Sequence, residues 1–507
     1  MTLQTLFKLK ENKTTMKNEL FAGLILFLIS FASIQICADL LKSCFDANNS
    51  NMILPVLLFM IPLLAGTLTM LSGIFYNVPY AVLPNLLITI LISVYGRTSL
   101  GYDFRYVLVS ALIGCLSYYV FTFWIKDKNW KEWIPKSISN VFPFVLGCIF
   151  VFFGLFRSGI LNSVNSPEPA TALGDLLPQI QIQMPIYLGY ILNPISVLVL
   201  LGIILYIVFQ KKYPKNIVLF VFLLISLLGF FLSIKWGSPI KGNITTFQAF
   251  GPVGLRKEGF SLLFTNLVTS HGITVNTWVS FFRILKSSTG LLKLSFIFFI
   301  TLFFQNFFVL NSLENLSNPK TKAPTNPEKK NSKETPIITK DESCSPVKLT
   351  KFSSITSLFG ILFNTTAFSY AQESAVLIFT EAKTGLTAFF CGLLLLFTAF
   401  LSPIGIFTSQ AGTPLLFILV GITICASQLK NISVEKVVDW IPFLLFLLIT
   451  IITMNPVEGL VVSILLYGLI HMISKYTDGT DNLKLSKAFW VTFFISLLYI
   501  LSQIKIE

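Results

Sequence analysis

Apolar stretches of about twenty residues recur along the whole chain, and no other feature limits the possible folds so sharply. A helix needs roughly 20 apolar residues to cross the hydrocarbon core of a bilayer. Uninterrupted runs of that kind fall at 20–41, 52–72, 104–125, 138–156, 186–209, 217–234, 291–311 and 387–407. Shorter or interrupted ones fall at 76–95, 352–368, 370–380, 413–427, 440–456, 457–473 and 489–503. Only 12% of the residues are charged, about half of what a soluble domain carries. The chain reads as an all-α polytopic membrane protein with about 14 crossings. Whether 489–503 crosses or lies along the membrane is left open. The first run has no small-residue cleavage site behind it, so it is expected to be a retained span and not a signal peptide.

A formal charge of +14 in a soluble protein would suggest a nucleic-acid partner. Here the cations gather between the spans. Segment 1–20 carries Lys8, Lys10, Lys13 and Lys17 against Glu11 and Glu19, a net +2. Segment 126–136 is also +2, Lys211, Lys212 and Lys215 add +3, and 312–351 adds another +3. With the N-terminus in the cytoplasm, all four segments face the cytoplasm, as the positive-inside rule requires. The charge is then a matter of topology, and no nucleic acid is called for. The seven cysteines are scattered without a C-x-x-C pair, and His271 and His471 are the only histidines. No metal site or other cofactor is expected. A membrane enzyme would need clustered His, Asp or Cys at one membrane face, and the sequence offers no such cluster.

The expected organisation is a cytoplasmic segment 1–19, a first seven-span repeat 20–240, an extracytoplasmic connection 241–290, and a second seven-span repeat 291–507. The second repeat contains a cytoplasmic linker at 313–350, rich in Lys, Pro, Asn, Ser and Thr, a composition that does not build a packed core. Each half begins with long spans and then has a shorter, interrupted one. In the first half this is Tyr76–Tyr95, with Pro79 and Pro84. In the second it is Asn364–Phe379, where Asn364, Thr365, Thr366, Ser369, Gln372 and Glu373 interrupt apolar sequence. Broken helices at matching places in two halves point to an inverted-repeat transporter with its site near the bilayer midplane. Alternatively, Pro79 and Pro84 only kink a structural helix, which membrane helices tolerate.

Glu373 is the most informative single residue. A carboxylate within the bilayer costs on the order of 2.5–3.5 kcal/mol or more, so it faces a cavity or a partner. A helix starting beside it would place free backbone N–H groups and a positive dipole end at the carboxylate. Such a site suits a neutral heterocycle with N–H donors, and the same carboxylate is the expected proton-coupling group. Pairing with nearby Lys383 is the structural alternative. Gln305 and Asn306 sit together in a Phe-rich span. Adjacent residues on a helix point in different directions, so at most one faces a site and the other is free to bridge helices. Asp39 is expected near a membrane interface. Asp439 is read as the N-cap of the 440–456 helix, and Glu381 with Lys383 as a short cytoplasmic turn. Glu458, after Asn455-Pro456, is assigned to the fold or a gate.

These residues also carry a family resemblance. The run from Glu373-Ser374-Ala375 to Lys383-Thr384-Gly385-Leu386-Thr387 resembles the Y-I-E-S-A…G-R-T-G-L-T signature of the nucleobase:cation symporter (xanthine/uracil permease) family, in its hypoxanthine/adenine/guanine permease branch. Glu19-Leu20-Phe21-Ala22-Gly23 is similar to that family's E-x-x-A-G opening. Asn77-Val78-Pro79 through Pro84 resembles its N-x-P-x-x-x-x-P-G stretch. Gly147 to Gly159 resembles a further glycine-spaced segment, followed by Leu173-Gly174-Asp175. The resemblance implies two inverted seven-helix repeats divided into core and gate domains. It also implies short strands preceding half helices in the third and tenth spans, with the substrate between them. Family members are commonly proton-coupled importers that work by an elevator-like motion, often as dimers. Glu373 falls on the substrate-binding glutamate. Gln305 stands where the family's F-D-T-x-G-T-L has its aspartate, and Thr89 stands at the site asparagine of P-G-M-G-L-N.

The resulting expectation is a secondary transporter importing a purine-like nucleobase by proton symport. Glu373 would bind and couple, with Gln305 and Thr89 as further substrate-binding residues. The expected partners are the nucleobase, a proton and the lipid bilayer, with a homodimer as the assembly, in a bacterial inner membrane with the N-terminus cytoplasmic. A transporter of the same fold for an organic or inorganic anion is the alternative, since half-helix dipoles bind anions. A transport-inactive relative is a further one.

Overall fold

The computed structural model describes residues 3–45, 47–95, 104–125, 132–163, 186–189, 193–210, 217–236, 288–317, 345–380, 382–400, 411–429, 437–478 and 485–503. Most of the connection 241–290 with His271, the linker residues 318–344, Glu381 and the Leu173–Asp175 motif lie outside these residues. The first half comprises α1 (Met16–Lys42), α2 (Ala47–Tyr76), strand β1 (Val82–Pro84), α3 (Leu86–Tyr95), α4 (Phe104–Thr122) and α5 (Phe142–Arg157). It continues through β2 (Leu161–Ser163), β3 (Ile186–Leu188), α6 (Pro194–Phe209) and α7 (Ile217–Trp236). The second half comprises α8 (Ser288–Ser317), α9 (Pro346–Leu362), β4 (Phe368–Tyr370), a 3-10 helix η1 (Gln372–Phe379), α10 (Gly385–Phe400), α11 (Gly412–Gln428), α12 (Val437–Thr453) and α13 (Pro456–Asp478). A further helix, α14 (Lys487–Gln503), packs on α13 and α8. Among the described residues, 6 helices are long and apolar enough to cross a membrane unaided, and the shorter apolar helices pack beside them.

The two halves repeat each other with inverted direction, as their packing shows. Helix α10 lies along α1 and α2, and in the same way α4 lies along α8 and α9. Strand β1 packs on α2, and β4 on α9. The α6–α7 pair has its counterpart in α12–α13, while α5 packs on its own counterpart, α11. The result is a core domain of α1–α4 with α8–α10 and a gate domain of α5–α7 with α11–α13. Small residues let the interleaved helices touch: a Cβ on Gly66 would lie 2.7 Å from the Gly392 carbonyl oxygen of α10, the close approach typical of membrane helix pairs.

The helix breaks are built alike in both halves. Asn77 follows α2 at φ 50° and Asn364 follows α9 at φ 55°, left-handed positions that asparagine tolerates better than most residues. Each break leads into a three-residue strand, and the two strands pair antiparallel, Val82 with Tyr370, Leu83 with Ser369 and Pro84 with Phe368. Backbone that is not helical must find partners within the protein at this depth. Thr69 Oγ1 of α2 bonds both the Val82 N–H and the Val82 carbonyl, each at 3.0 Å. Thr356 and Ser357 of α9 donate to the Phe368 carbonyl at 2.9 and 2.8 Å. Thr69→Val is therefore expected to leave two buried backbone groups short of partners and to cost about 2 kcal/mol, measured as a fall in the unfolding temperature of the purified protein. An unchanged unfolding temperature would show that the strand draws no support from α2.

The architecture departs from the hydropathy reading in four places. Segment 370–380 is not a crossing: it is the end of β4 and the short η1 helix. The 186–209 run starts as a strand paired with 161–163, and its helix begins only at Pro194, where Asn193 caps the Ile195 N–H. Helix α12 starts at Val437, so Asp439 lies inside its first turn and is not its N-cap. The linker is shorter than its composition suggests, because α8 continues to Ser317 and α9 begins at Pro346 behind the Ser345 cap.

Described parts of the 1–20 and 312–351 segments pack on neighbouring helix ends. Asn77 Nδ2 bonds the Phe7 carbonyl at 3.4 Å, Tyr76 packs on Phe352, Lys351 sits over the Phe123 ring, and Asn315 bonds the Ser139 carbonyl.

Candidate substrate-binding site

The paired strands place the starts of α3 and η1 next to each other, so two helix N-termini open toward one point. Between them lies a cavity of about 10 Å³ lined by Pro84, Asn85, Leu86, Gln305, Ser369 and Gln372–Glu373 among others, which is room for about one water molecule. No lysine, arginine or histidine is among its lining residues.

Each polar wall has a definite origin. Asn85 caps α3 with its Oδ1, which accepts from the Leu87 and Ile88 N–H groups at 3.1 and 3.3 Å. Its Nδ2 donates to Ser369 Oγ at 3.1 Å, linking the two strands. Ser374 Oγ accepts from the Ala81 N–H at 3.0 Å, which fixes the first turn of η1 against β1. Glu373 is in that first turn, buried at 5% exposure, and its Oε1 accepts a hydrogen bond from Ser33 Oγ of α1. Gln305, on α8, is 6% exposed, and its Oε1 has no hydrogen-bond partner. An amide buried at the edge of a cavity without a partner is a group waiting for a ligand or a water.

The structure thus brings Glu373 and Gln305 to one cavity. Asn306 turns the other way: its Oδ1 accepts from Ser353 of α9 at 2.7 Å, joining two helices. Thr89 is one turn along α3 from Asn85. Its hydroxyl is 2.8 Å from the Asn85 carbonyl and 3.0 Å from the Thr366 hydroxyl, and it is absent from the cavity wall. The residue of α3 that does line the cavity is Asn85. Glu373 takes its bond from Ser33 and not from Lys383, whose backbone N–H donates to Glu19 instead.

Sequence reasoning passed over three residues. Ser33 belongs to a polar stripe of α1, Ser30, Ser33 and Cys37, whose spacing of three and four residues keeps it on one helix face. Asn85 shows an N-cap residue directly before an apolar helix. Glu19 is fully buried at the start of α1. Its carboxylate accepts from the Lys383 N–H at 3.0 Å, the Thr384 N–H at 3.3 Å and the Thr387 hydroxyl at 2.6 Å, where α10 begins. It holds the positive end of that helix. Elsewhere, Glu458 accepts from Tyr499 at 2.7 Å, tying α14 to α13.

The chain is a multi-pass membrane protein built from two inverted repeats. Several solved structures are similar to it, among them the following three. SLC26A9 matches with a TM-score of 0.49 and 11% identity over 93% of this chain and 69% of that one. Murine Slc26a9, described as an anion transporter in the inward-facing state, matches at 0.47 and 13% identity over 93% of this chain and 72% of that one. The transmembrane domain of the cyanobacterial bicarbonate transporter BicA matches at 0.42 and 13% identity over 95% of this chain and 97% of that one. No protein-family model and no curated protein sequence matches the chain.

Proposed function

We infer that this protein is a secondary transporter that carries a small anion through the membrane by alternating access, with the anion held between the starts of α3 and η1. The observation behind this reading is the convergence of two helix N-termini on one small cavity whose α8 wall is the uncharged Gln305 amide. Helix N-termini supply backbone N–H donors and a partial positive charge, which together favour a negative ligand. An aspartate at position 305 would repel an anion, whereas glutamine offers a donor and an acceptor. Glu373 is the carboxylate on the described wall. A proton taken up there removes the charge that opposes the anion, so anion and proton travel together.

Import of a purine-like nucleobase with a proton is the second reading, and Glu373 favours it. A buried carboxylate accepting from ring N–H groups, with backbone N–H groups donating beside it, suits a neutral heterocycle. Uptake of labelled sulfate and labelled adenine by cells producing the protein, each challenged with unlabelled sulfate, dicarboxylates and adenine, separates the two. Saturable sulfate uptake blocked by dicarboxylates but not by adenine is expected. Adenine uptake indifferent to anions would overturn the anion reading in favour of the nucleobase.

A further inference from the structure

A second cavity, which shares no lining residue with the substrate site, lies on the outer face of the core domain between α4 and α8. It has a volume of about 360 Å³ and is lined by Leu116, Ser117, Val120, Phe121, Trp124 and Phe299. Its only polar side chain is already satisfied, because the Ser117 hydroxyl donates to the Ile113 carbonyl at 2.9 Å. Leu116 and Val120 are each 53% exposed and Trp124 is 75% exposed, so the groove is open to the bilayer. Its floor is rigid: the Phe121 ring meets Phe299 at 5.5 Å, Phe303 at 5.4 Å and Trp133 at 5.7 Å. Ordinary lipid-facing helix surfaces are convex, and a fixed aromatic groove is a different object.

Three described lysines stand on the segments that flank the end of this groove at Trp124. Trp133 carries the wall into the segment that holds exposed Lys136. The Ser486 hydroxyl bonds the Glu132 carbonyl at 2.8 Å and the Thr492 hydroxyl bonds the Trp133 carbonyl at 2.9 Å, which brings the start of α14, with exposed Lys487, to the same rim. On the other flank of α4, Lys351 Nζ sits 5.5 Å above the Phe123 ring. Among the described residues of this segment, exposed Glu132 is the acid. This rim is at the end of the bundle where the positive-inside reading places the cytoplasm.

We propose that the α4–α8 groove is a binding site for one anionic phospholipid, its acyl chain lying against Phe121 and Phe299 and its phosphodiester facing Lys136, Lys487 and Lys351. Apolar walls demand hydrocarbon, and the cationic rim selects a negative headgroup over a zwitterionic one. Exposed Trp124 sits where indole rings anchor a protein at the headgroup level. The site is independent of the transported solute.

The test uses the purified full-length protein in detergent, titrated with dioleoyl-phosphatidylglycerol or dioleoyl-phosphatidylcholine and read by native mass spectrometry and thermal unfolding. Phosphatidylglycerol is expected to stay bound and raise the unfolding temperature more than phosphatidylcholine. Each of Lys136→Gln, Lys487→Gln and Lys351→Gln is expected to weaken its retention about five-fold. Leu116→Trp, which fills the groove, is expected to release both lipids. Equal retention of the two lipids, or retention unchanged in the triple lysine variant, overturns the proposal. A protein dimer that Leu116→Trp breaks would likewise overturn it by assigning the groove to a second copy. Should Leu116→Trp fail to fold, the exposed lysine variants decide alone.

Discussion

Replacing Glu373 with alanine is expected to abolish uptake while the protein still accumulates in the membrane. Glu373 is buried, bonded to Ser33, and placed in the first turn of η1 on the cavity wall. Protonated Glu373 can donate a hydrogen bond to the anion, and a hydrogen bond to a charged group contributes about 1.5–3 kcal/mol, so its loss weakens binding roughly 10- to 150-fold even before coupling is considered. Glu373→Gln separates the two roles. It keeps hydrogen-bonding capacity but cannot titrate, so solute exchange is expected to survive while accumulation driven by a proton gradient is lost. Uptake of labelled solute with and without an imposed gradient reads both variants. Undiminished uptake in the alanine variant would remove Glu373 from the site.

The second large effect is on stability. In Glu19→Ala, the Lys383 and Thr384 N–H groups lose their carboxylate acceptor at the buried junction of α1 and α10, and the Thr387 hydroxyl keeps only the Glu19 backbone carbonyl at 3.2 Å. Buried donors left without partners cost about 1–3 kcal/mol each, so a loss on the order of 3 kcal/mol is expected. Thermal unfolding in detergent should show a fall of several degrees, with Glu19→Gln falling less because its amide oxygen still accepts. An alanine variant that unfolds at the wild-type temperature would show that the junction contributes nothing to holding the bundle together.

The two variants also mark what hydropathy reveals and what it conceals. The crossings were legible because an apolar run of bilayer length has one fate. Tyr76–Tyr95 and Asn364–Phe379 were legible as breaks because proline, asparagine and glutamate interrupt otherwise apolar sequence. What lay hidden is pairwise and distant. Nothing local at Val82–Pro84 announces a partner at Phe368–Tyr370, since three-residue strands carry no usable periodicity. Ser33 and Glu373 are 340 residues apart, and Glu19 reads as one more charge in a basic segment until α10 is laid against it. At 186–209 the run was uniformly apolar, and only Asn193-Pro194 marked where strand gives way to helix. Composition did not separate Gln305 from Asn306, and only the resemblance pointed to Gln305; the packing of α9 against α8 sends Asn306 to Ser353 and leaves Gln305 at the cavity.

The interleaving of the halves has a consequence for biosynthesis. The inner faces of α1 and α2 are covered by α10, and α4 reaches its partners only when α8 and α9 arrive. During translation α1 and α2 must therefore wait in the lipid, with Gly23, Gly66 and Gly73 lacking their α10 partners, until roughly 300 further residues have been inserted. Native packing is reached late and nearly all at once, so truncation anywhere before α10 leaves an unfinished bundle, and quality-control proteases would meet this chain chiefly in that waiting state.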